Sequence, residues 1–440
     1  MYTVALYTLG CKVSQYETEA VAEAFADSGF TVCDFDSVAD VYVINTCTVT
    51  EESDRKSRQF IRRAIRRNPE AKVIVMGCYS ERAAESIAAI SGVGAVIGTD
   101  GKLRAVPLAK GLLSGEIKPG HISLLPLSAG GFERMSIRRA PRTRAYVKIE
   151  DGCDSKCTYC AIKEARGRVR SKPREDVISE VEALSRNGIC EVVLTGIEVA
   201  AYGKDFEDGY GLCDLLFELD RRESCERIRL GSLAPELIGE NFANTVSKLS
   251  ILVPHFHVSL QSGSDSVLSR MKRRYNRGRA LENIERLKRL IPNACFTADI
   301  MVGFPGESEE DFLQTADFVR RAALLDAHVF TFSRRVGTEA YDMPGQIPEQ
   351  LKRYRTRRMI EIKNEIRDKT LCEIVSGGRL LPSVFESFDG EYYVAHSDTF
   401  AEVRCPSKMD ITGKLLYVKP LSHKDGVIYG EIVENDAKCK

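Results

Sequence analysis

At 440 residues the chain exceeds the usual size of one domain and has ample length for more than one buried core. Lys and Arg total 63, as do Asp and Glu, so no net charge draws the molecule to a polyanion and any such binding must use local basic patches. Fourteen cysteines follow a start, Met1-Tyr-Thr-Val-Ala-Leu-Tyr, that lacks the basic opening of a secretory signal, and no apolar run approaches the roughly 20 residues of a membrane span; a reduced, cytoplasmic protein with no membrane partner is expected, not a disulfide scaffold.

In chain order, the first hundred residues repeat an apolar run that ends at a cysteine and gives way to a helical stretch. Tyr2 to Leu9 precedes Gly10-Cys11, Val41 to Ile44 precedes Asn45-Thr46-Cys47, and Val73 to Met76 precedes Gly77-Cys78. Strands alternating with helices predict a parallel sheet, and ligands of such sheets gather beyond the carboxyl ends of the strands. Cys11, Cys47 and Cys78 are therefore expected on one sheet edge, with Gly10 and Gly77 permitting tight turns and close backbone approach. A lone free cysteine is commonly a small buried hydrophobe. Three at equivalent strand ends point to a three-thiolate metal centre.

Residues 111–143 are expected to be a linker, its stretch from Leu112 to Gly131 rich in Gly, Ser, Pro and Leu. From Arg144 onward, strand-like and helix-like segments alternate six times. The strand candidates are Ala145 to Ile149, Glu191 to Thr195, Arg227 to Leu230, Phe256 to Leu260, Phe296 to Met301 and His328 to Phe332, and helical faces recur between them, as in Val177, Val181 and Leu184. Six units predict a partial (β/α)6 barrel with its site at the C-terminal mouth of the strands.

The loop after the first barrel strand reads Asp151-Gly-Cys153-Asp-Ser-Lys-Cys157-Thr-Tyr159-Cys160. A CxxxCxxC run offers three thiolates to one cubane iron-sulfur cluster and leaves one iron open to an outside ligand. A structural zinc site usually shows two CxxC pairs or added histidines, and none follows nearby. Other strand ends bring Thr195-Gly196-Ile-Glu198, Ser259-Leu-Gln261-Ser-Gly263, Asp299 and Gly303-Phe-Pro-Gly306-Glu307 to the same rim. An amino acid held through its amine and carboxylate on an open iron needs such donors, acceptors and close backbone approach. Tyr159, Gly196, Glu198, Ser259, Gln261 and Asp299 are the candidate cofactor contacts. Cys33, Cys190, Cys213, Cys225, Cys295, Cys372, Cys405 and Cys439 show no ligand spacing and are read as packing or surface residues.

Basic residues cluster at Arg55 to Arg67, at Arg134 to Arg144, and at Lys272-Arg-Arg274 with Arg277 and Arg279, three candidate phosphate-contact regions. From about Val375, short β-rich runs such as Glu391-Tyr-Tyr393, Leu415-Leu-Tyr-Val418 and Val427-Ile-Tyr-Gly430 predict a small β-barrel, an architecture that commonly binds nucleic acid.

These motifs together resemble a known family. CxxxCxxC with Tyr159 before its last cysteine resembles the radical S-adenosylmethionine signature, and Cys11, Cys47 and Cys78 resemble the amino-terminal domain of the methylthiotransferases. Thr8-Leu-Gly-Cys11-Lys-Val-Ser-Gln-Tyr-Glu17, Ile44-Asn-Thr-Cys47-Thr-Val-Thr50 and Gly77-Cys78-Tyr79 are similar to the branch acting on N6-threonylcarbamoyladenosine in tRNA. Ala165-Arg-Gly-Arg168, Ser259 to Asp265, Gly303 to Glu307 and Arg335-Val-Gly-Thr338 extend the match over nearly the whole chain. Ser14 stands where that branch usually has Asn, and Lys163-Glu164 where it usually has a proline-containing pair.

The resemblance implies two [4Fe-4S] clusters, making all six cysteines of the two trios catalytic and metal-binding. The cluster on Cys153, Cys157 and Cys160 would chelate S-adenosylmethionine and cleave it to a radical that takes hydrogen from adenine C2. The cluster on Cys11, Cys47 and Cys78 would deliver sulfur, and a second S-adenosylmethionine the methyl group. The implied product is 2-methylthio-N6-threonylcarbamoyladenosine at the adenosine 3′-adjacent to the anticodon, and the implied partners are tRNA, an electron donor such as a flavodoxin or ferredoxin, and a sulfur source. The implied segments are an N-terminal methylthiotransferase α/β domain over 1–110, the linker 111–143, a radical S-adenosylmethionine core over 144–372, and a TRAM RNA-binding antiparallel β-barrel over 373–440. Competing readings keep the chemistry but place it on N6-isopentenyladenosine or a ribosomal-protein aspartate, or reduce the chain to an RNA-binding protein with structural metal sites.

Overall fold

The structure is a computed structural model of the chain and describes residues 1–127 and 131–433. Cys439 and part of the expected linker lie outside the described residues. The first unit runs β1 (Thr3–Thr8), α1 (Lys12–Asp27), β2 (Thr31–Cys33), β3 (Val41–Thr46), α2 (Glu51–Arg67), β4 (Lys72–Gly77), α3 (Cys78–Ala88), β5 (Val93–Ile97), α4 (Ala105–Ser114) and β6 (His121–Ser123). Its sheet is parallel throughout, in the order β2-β1-β3-β4-β5-β6. The strands are apolar on both faces because helices cover both. Val4, Val43, Ile74 and Met76 join a core with Tyr16 and Val21 of α1, while Ala5, Tyr42, Ile44 and Val75 join another with Ile61 and Ala64 of α2. The three-residue β2 and β6 are too short for a periodicity to declare, and β6 is taken from the stretch expected to be linker.

Further along that connector, Met135 and Ile137 are pinned down. The Tyr16 hydroxyl donates to the Met135 carbonyl at 2.7 Å, Lys172 Nζ donates to the same oxygen at 2.8 Å, and the Ile137 amide donates to Glu180 at 2.6 Å. Met135 and Ile137 are buried in a core that runs continuously from the first sheet into the second unit. Connector and core are thus one packed body, as buried apolar residues require.

The second unit opens with β7 (Arg144–Lys148). A hairpin of β8 (Glu150–Asp151) and β9 (Arg170–Ser171) encloses the cysteine loop and α5 (Ile162–Arg166). There follow α6 (Arg174–Arg186), β10 (Glu191–Thr195), α7 (Leu212–Arg221), β11 (Arg227–Leu230), α8 (Glu240–Val246), β12 (His255–Gln261), α9 (Asp265–Arg270), α10 (Arg277–Leu290), β13 (Cys295–Val302), α11 (Glu309–Arg321) and β14 (Asp326–Thr331). The strands form two parallel halves, β7-β10-β11 and β12-β13-β14. The halves are joined where the Leu233 amide donates to His257 O at 2.8 Å and the Ser259 amide to Leu233 O at 2.9 Å. The result is the partial barrel that the sequence predicts, open between β7 and β14.

The long helix α12 (Glu349–Ser376) leads to β15 (Leu381–Phe388), β16 (Tyr393–Ser397), β17 (Glu402–Cys405), β18 (Leu415–Lys424) and β19 (Val427–Val433), a closed barrel in the order β15-β16-β17-β19-β18. Every pair is antiparallel except β17 with β19. This small barrel sits on the base of the larger one. Buried Glu191, at the start of β10, accepts from Arg227 and Arg229, and these arginines donate onward to Pro382 O at 2.9 Å and Ser397 O at 3.0 Å. Among the described residues no helix is long and apolar enough to cross a membrane.

Candidate active site

The sheet-edge trio is assembled from three adjacent strands. Cys11 caps the start of α1 after β1, Cys47 follows β3, and Cys78 is the first residue of α3 after β4; β1, β3 and β4 are neighbours in the sheet. In this sheet order the β1/β3 boundary is the topological switch point at which such folds bind ligands. Two glycines make the approach possible. A Cβ on Gly10 (φ +122°) would stand 3.1 Å from Cys47 Cβ, and one on Gly77 (φ +105°) would stand 2.4 Å from Asn45 Oδ1 and 2.6 Å from Thr46 O. Cys11 is exposed, Cys47 partly buried and Cys78 buried. Burial pushes the Cys78 thiol up to about 11 against the pull of Arg166, whose Nε–H donates to its sulfur at 3.2 Å.

The loop trio is local and lies at the mouth, beyond β7. Gly152 (φ +83°) turns the chain where a Cβ would collide with Arg168 O, and the Cys153 amide donates to Gly167 O at 3.1 Å. N–H groups address its sulfurs, among them the Ser155 amide at 3.4 Å from Cys153 Sγ and Arg273 Nη1 at 3.3 Å from Cys157 Sγ. Burial pushes the Cys160 thiol up to about 12. All six thiols are free. Three thiols with N–H donors directed at sulfur are a donor set that suits a [4Fe-4S] cluster, one thiol to each of three irons, and the residues of both trios fit that group.

The trios face each other. Cys11 of one and Cys160 of the other line the same cavity of about 540 Å³, with Tyr159, Gln261, Asp299, His328, Met301, Phe330 and Phe332 among its walls. Gln261 is held in a left-handed conformation (φ +67°), a strained backbone of the kind found at ligand sites, and its buried Oε1 has no hydrogen-bond partner among the described residues. Burial works against the Asp299 charge, but hydrogen bonds from His257 Nε2 and His328 Nδ1, both at 3.2 Å, hold its carboxyl well below the usual range. Several ties fix the first unit over the mouth. Arg335 reaches Thr48 at 2.6 Å and Asp54 at 2.9 Å, Arg82 lies 3.4 Å from Glu164, and the Thr99 hydroxyl donates to Ala165 O at 2.6 Å.

The remaining expected contacts lie beside this cavity, not on its walls. Gly196 leaves room for buried Glu150, since a Cβ there would stand 2.6 Å from Glu150 Oε2. Glu198 Oε1 accepts from the Ala234 amide at 3.3 Å, and burial together with Glu236 raises its pKa to about 7. Ser259 lends its carbonyl to Arg273 Nη2 at 3.0 Å. Sequence reading missed Arg166 and placed Arg273 in a phosphate-binding patch; Arg273 instead turns inward to the loop trio. The basic connector is likewise largely consumed. Arg138 pairs with Asp27 at 2.6 Å and Glu23 at 3.3 Å, and Arg144 with Glu386 at 3.0 Å. Nothing in the local sequence marks Arg166 and Arg273 as inward-facing, or Arg138 and Arg144 as paired, because their partners lie far along the chain.

A parallel sheet, an open parallel barrel and a thiolate trio at its mouth define a radical S-adenosylmethionine enzyme. The model of the radical SAM superfamily matches residues 147–319, and that of the uncharacterized protein family UPF0004 matches residues 3–98. The chain is 37% identical to the threonylcarbamoyladenosine tRNA methylthiotransferase MtaB of Bacillus subtilis, over 98% of this chain and 96% of the relative. It is 35% identical to MtaB of Thermotoga maritima, over 90% and 91%. It is also 32% identical to the tRNA-2-methylthio-N(6)-dimethylallyladenosine synthase of Thermoanaerobacter pseudethanolicus, over 97% and 92%. The chain belongs to the radical S-adenosylmethionine methylthiotransferase family, whose cofactors are S-adenosylmethionine and [4Fe-4S] clusters. Among solved structures the radical S-adenosylmethionine methyltransferase TsrM of Kitasatospora setae shares the fold, with a TM-score of 0.56 at 17% identity over 77% of this chain and 74% of that one.

Proposed function

We propose that the protein converts N6-threonylcarbamoyladenosine, at the tRNA adenosine 3′-adjacent to the anticodon, into its 2-methylthio derivative. The observation that carries this reading is the single cavity walled by Cys11 and Cys160, which lets two cluster sites share one nucleobase. The substrate follows the branch of the relatives named for threonylcarbamoyladenosine, which match at 32–37% identity.

On this reading residues 1–110 carry an auxiliary cluster on Cys11, Cys47 and Cys78, residues 111–143 connect, residues 144–372 carry the S-adenosylmethionine cluster on Cys153, Cys157 and Cys160, and residues 373–440 form a TRAM domain. When bound, the cofactors supply one-electron cleavage of a sulfonium, the sulfur and the methyl group. The protein's own residues position and shield. Gln261, Asp299 and Tyr159 orient the groups that meet in the cavity, while Glu198, within electrostatic reach of Cys153, would receive the amino group of S-adenosylmethionine. Met301, Phe330 and Phe332 form an apolar wall that keeps water from the reacting carbon.

The substituent on the base ends in a carboxylate, and Lys12 is the cation we assign to it. Next to Cys11 and partly buried, Lys12 has no hydrogen-bond or ion-pair partner among the described residues. Asp299 and Glu191, the acids within its electrostatic reach, are already engaged by histidines and arginines. A second cavity of about 610 Å³ runs along the open edge of the barrel, sharing His328 with the first and reaching Lys363, Arg367 and Phe400 beside the small barrel. RNA laid along this edge spans from the mouth to the TRAM domain, with the exposed Arg62 and Arg66 of α2 adding phosphate contacts. The enzyme works in the cytoplasm with a flavodoxin- or ferredoxin-type electron donor and a sulfur source. Nucleoside mass spectrometry of tRNA from a deletion strain tests the reading. Loss of the 2-methylthio form with retention of N6-threonylcarbamoyladenosine supports it, and loss of 2-methylthio-isopentenyladenosine instead overturns the substrate.

A further inference from the structure

Arg166 is, with Arg229, one of the two bulkiest fully buried side chains among the described residues, and its guanidinium serves both cysteine trios. Its Nε–H donates to Cys78 Sγ at 3.2 Å. Nη1 donates to Glu17 Oε1 at 2.9 Å and to Asp151 Oδ1 at 3.0 Å, and Nη2 donates to Glu17 Oε2 at 3.2 Å. Asp151 stands two residues before Cys153, so one planar group ties the sheet edge to the base of the cysteine loop. Lys148 lies 2.9 Å from Glu17 and 2.6 Å from Asp151, and Lys102 lies 3.2 Å from Glu17.

The group concentrates charge away from water. Arg166, Lys148 and Lys102 are cations and Glu17 and Asp151 are anions, and no side chain among them is more than 3% exposed. Arg170, 3.8 Å from Asp151, is matched by its own contact with Asp100. Glu81 lies within electrostatic reach of Lys102 and buried Glu150 within that of Lys148, so those two cations have further acids beside them. The Arg166 Nε–H is instead directed at the Cys78 sulfur, and a donor cation so placed favours a metal-bound thiolate over a neutral thiol.

We propose that this buried group is built around an anionic Cys78 sulfur, and that Arg166 is a positioning residue that sets the reduction potential of the auxiliary cluster. The inference rests on the reading that Cys11, Cys47 and Cys78 hold a cluster. Hydrogen bonds to cluster sulfurs and nearby net charge are the levers by which proteins move such potentials, and a donating cation favours the reduced, more negative state.

The test is a redox titration of the anaerobically reconstituted holoenzyme followed by electron paramagnetic resonance. Added S-adenosylmethionine perturbs the loop cluster and so separates its signal from the auxiliary one. In Arg166→Gln the reduced fraction of the auxiliary cluster at fixed potential falls roughly tenfold, equivalent to about 59 mV for one electron. Glu17→Gln removes an anion from the same group and moves the potential the opposite way. Arg166→Lys keeps the charge without the directed N–H and shifts it less than Arg166→Gln. A purely structural Arg166 predicts lower iron content with unchanged potentials, and that result, or shifts of the same sign in Arg166→Gln and Glu17→Gln, overturns the inference. Where Arg166→Gln does not fold, the opposed shifts of Arg166→Lys and Glu17→Gln decide. Iron and sulfide for only one cluster in the wild type would instead reject the underlying assignment.

Discussion

The two cysteine trios reach similar chemistry by opposite routes. Cys153, Cys157 and Cys160 fall within eight consecutive residues, and one loop turned at Gly152 brings them together. Cys11, Cys47 and Cys78 meet only because β1, β3 and β4 lie side by side in one sheet. The loop trio is therefore a local structure that tolerates change elsewhere, whereas the sheet-edge trio exists only when the whole first unit has folded. Each has one sulfur addressed by an arginine, partly buried Arg273 for Cys157 and buried Arg166 for Cys78, but of the two only Arg166 also joins the two units.

The sharpest way to break the comparison is to remove one thiol from each trio. Cys157→Ala is expected to abolish formation of 5′-deoxyadenosine, a loss of several orders of magnitude read by chromatography of single-turnover reactions. Cys47→Ala is expected to retain that cleavage and to form no thiomethylated nucleoside. Thiomethylated product from the Cys47 variant would refute the division of labour.

A smaller effect tests whether the sheet-edge trio depends on backbone geometry. Gly77→Ala places a Cβ 2.4 Å from Asn45 Oδ1 and 2.6 Å from the Thr46 carbonyl at φ +105°. It should cost about 2–4 kcal/mol in denaturant unfolding and lower the iron bound by the first unit. Gly29→Ala, also at positive φ but facing open space, should cost only about 1 kcal/mol and leave iron content unchanged. Equal costs would show that strain at φ, not crowding beside the trio, decides. Next in size is Lys12→Met, for which binding of an anticodon stem-loop carrying N6-threonylcarbamoyladenosine should weaken about 10- to 100-fold relative to wild type. Affinity for the same stem-loop with unmodified adenosine should not change. A uniform loss on both RNAs would make Lys12 a phosphate contact and not a reader of the base.

The contrast between the trios also sets how much the sequence alone could reveal. The loop trio was legible because its chemistry is written in consecutive residues, and the sheet-edge trio because each cysteine ends an apolar run. The barrel strands were likewise legible to within a few residues, since six apolar runs alternate with helical faces. What stayed hidden depends on distance along the chain. Arg166 meets Glu17 across 149 residues and Cys78 across 88, and no local pattern distinguishes it from the solvated Arg168 nearby. Arg273 sits in a basic run whose two other members, Lys272 and Arg274, do face outward, so composition suggested a phosphate patch where one member is a partly buried partner of Cys157. The strands β2 and β6, at three residues each, carry no period to read.

The smallest expected effect concerns Glu198, which separates the loop trio's surroundings from those of the sheet edge. Burial and the neighbouring Glu236 raise its pKa from an ordinary 4.5 to about 7. A carboxyl raised in this way favours the fold while protonated. Its contribution is therefore fully present below about pH 4.5 and is lost as pH climbs through about 7, where the buried group must ionise. Glu198→Gln removes that dependence, so the variant should match wild type in melting temperature at pH 5 and exceed it by a few degrees at pH 8. An ammonium group brought by S-adenosylmethionine would compensate the ionised carboxylate, so wild-type affinity for the cofactor should tighten between pH 6 and pH 8 while that of Glu198→Gln stays flat. A wild-type affinity that does not change across this interval, measured by calorimetry on the anaerobic holoenzyme, would remove Glu198 from the cofactor's contacts. It would then be a buried acid that serves only to hold the Ala234 amide at the rim of the loop trio.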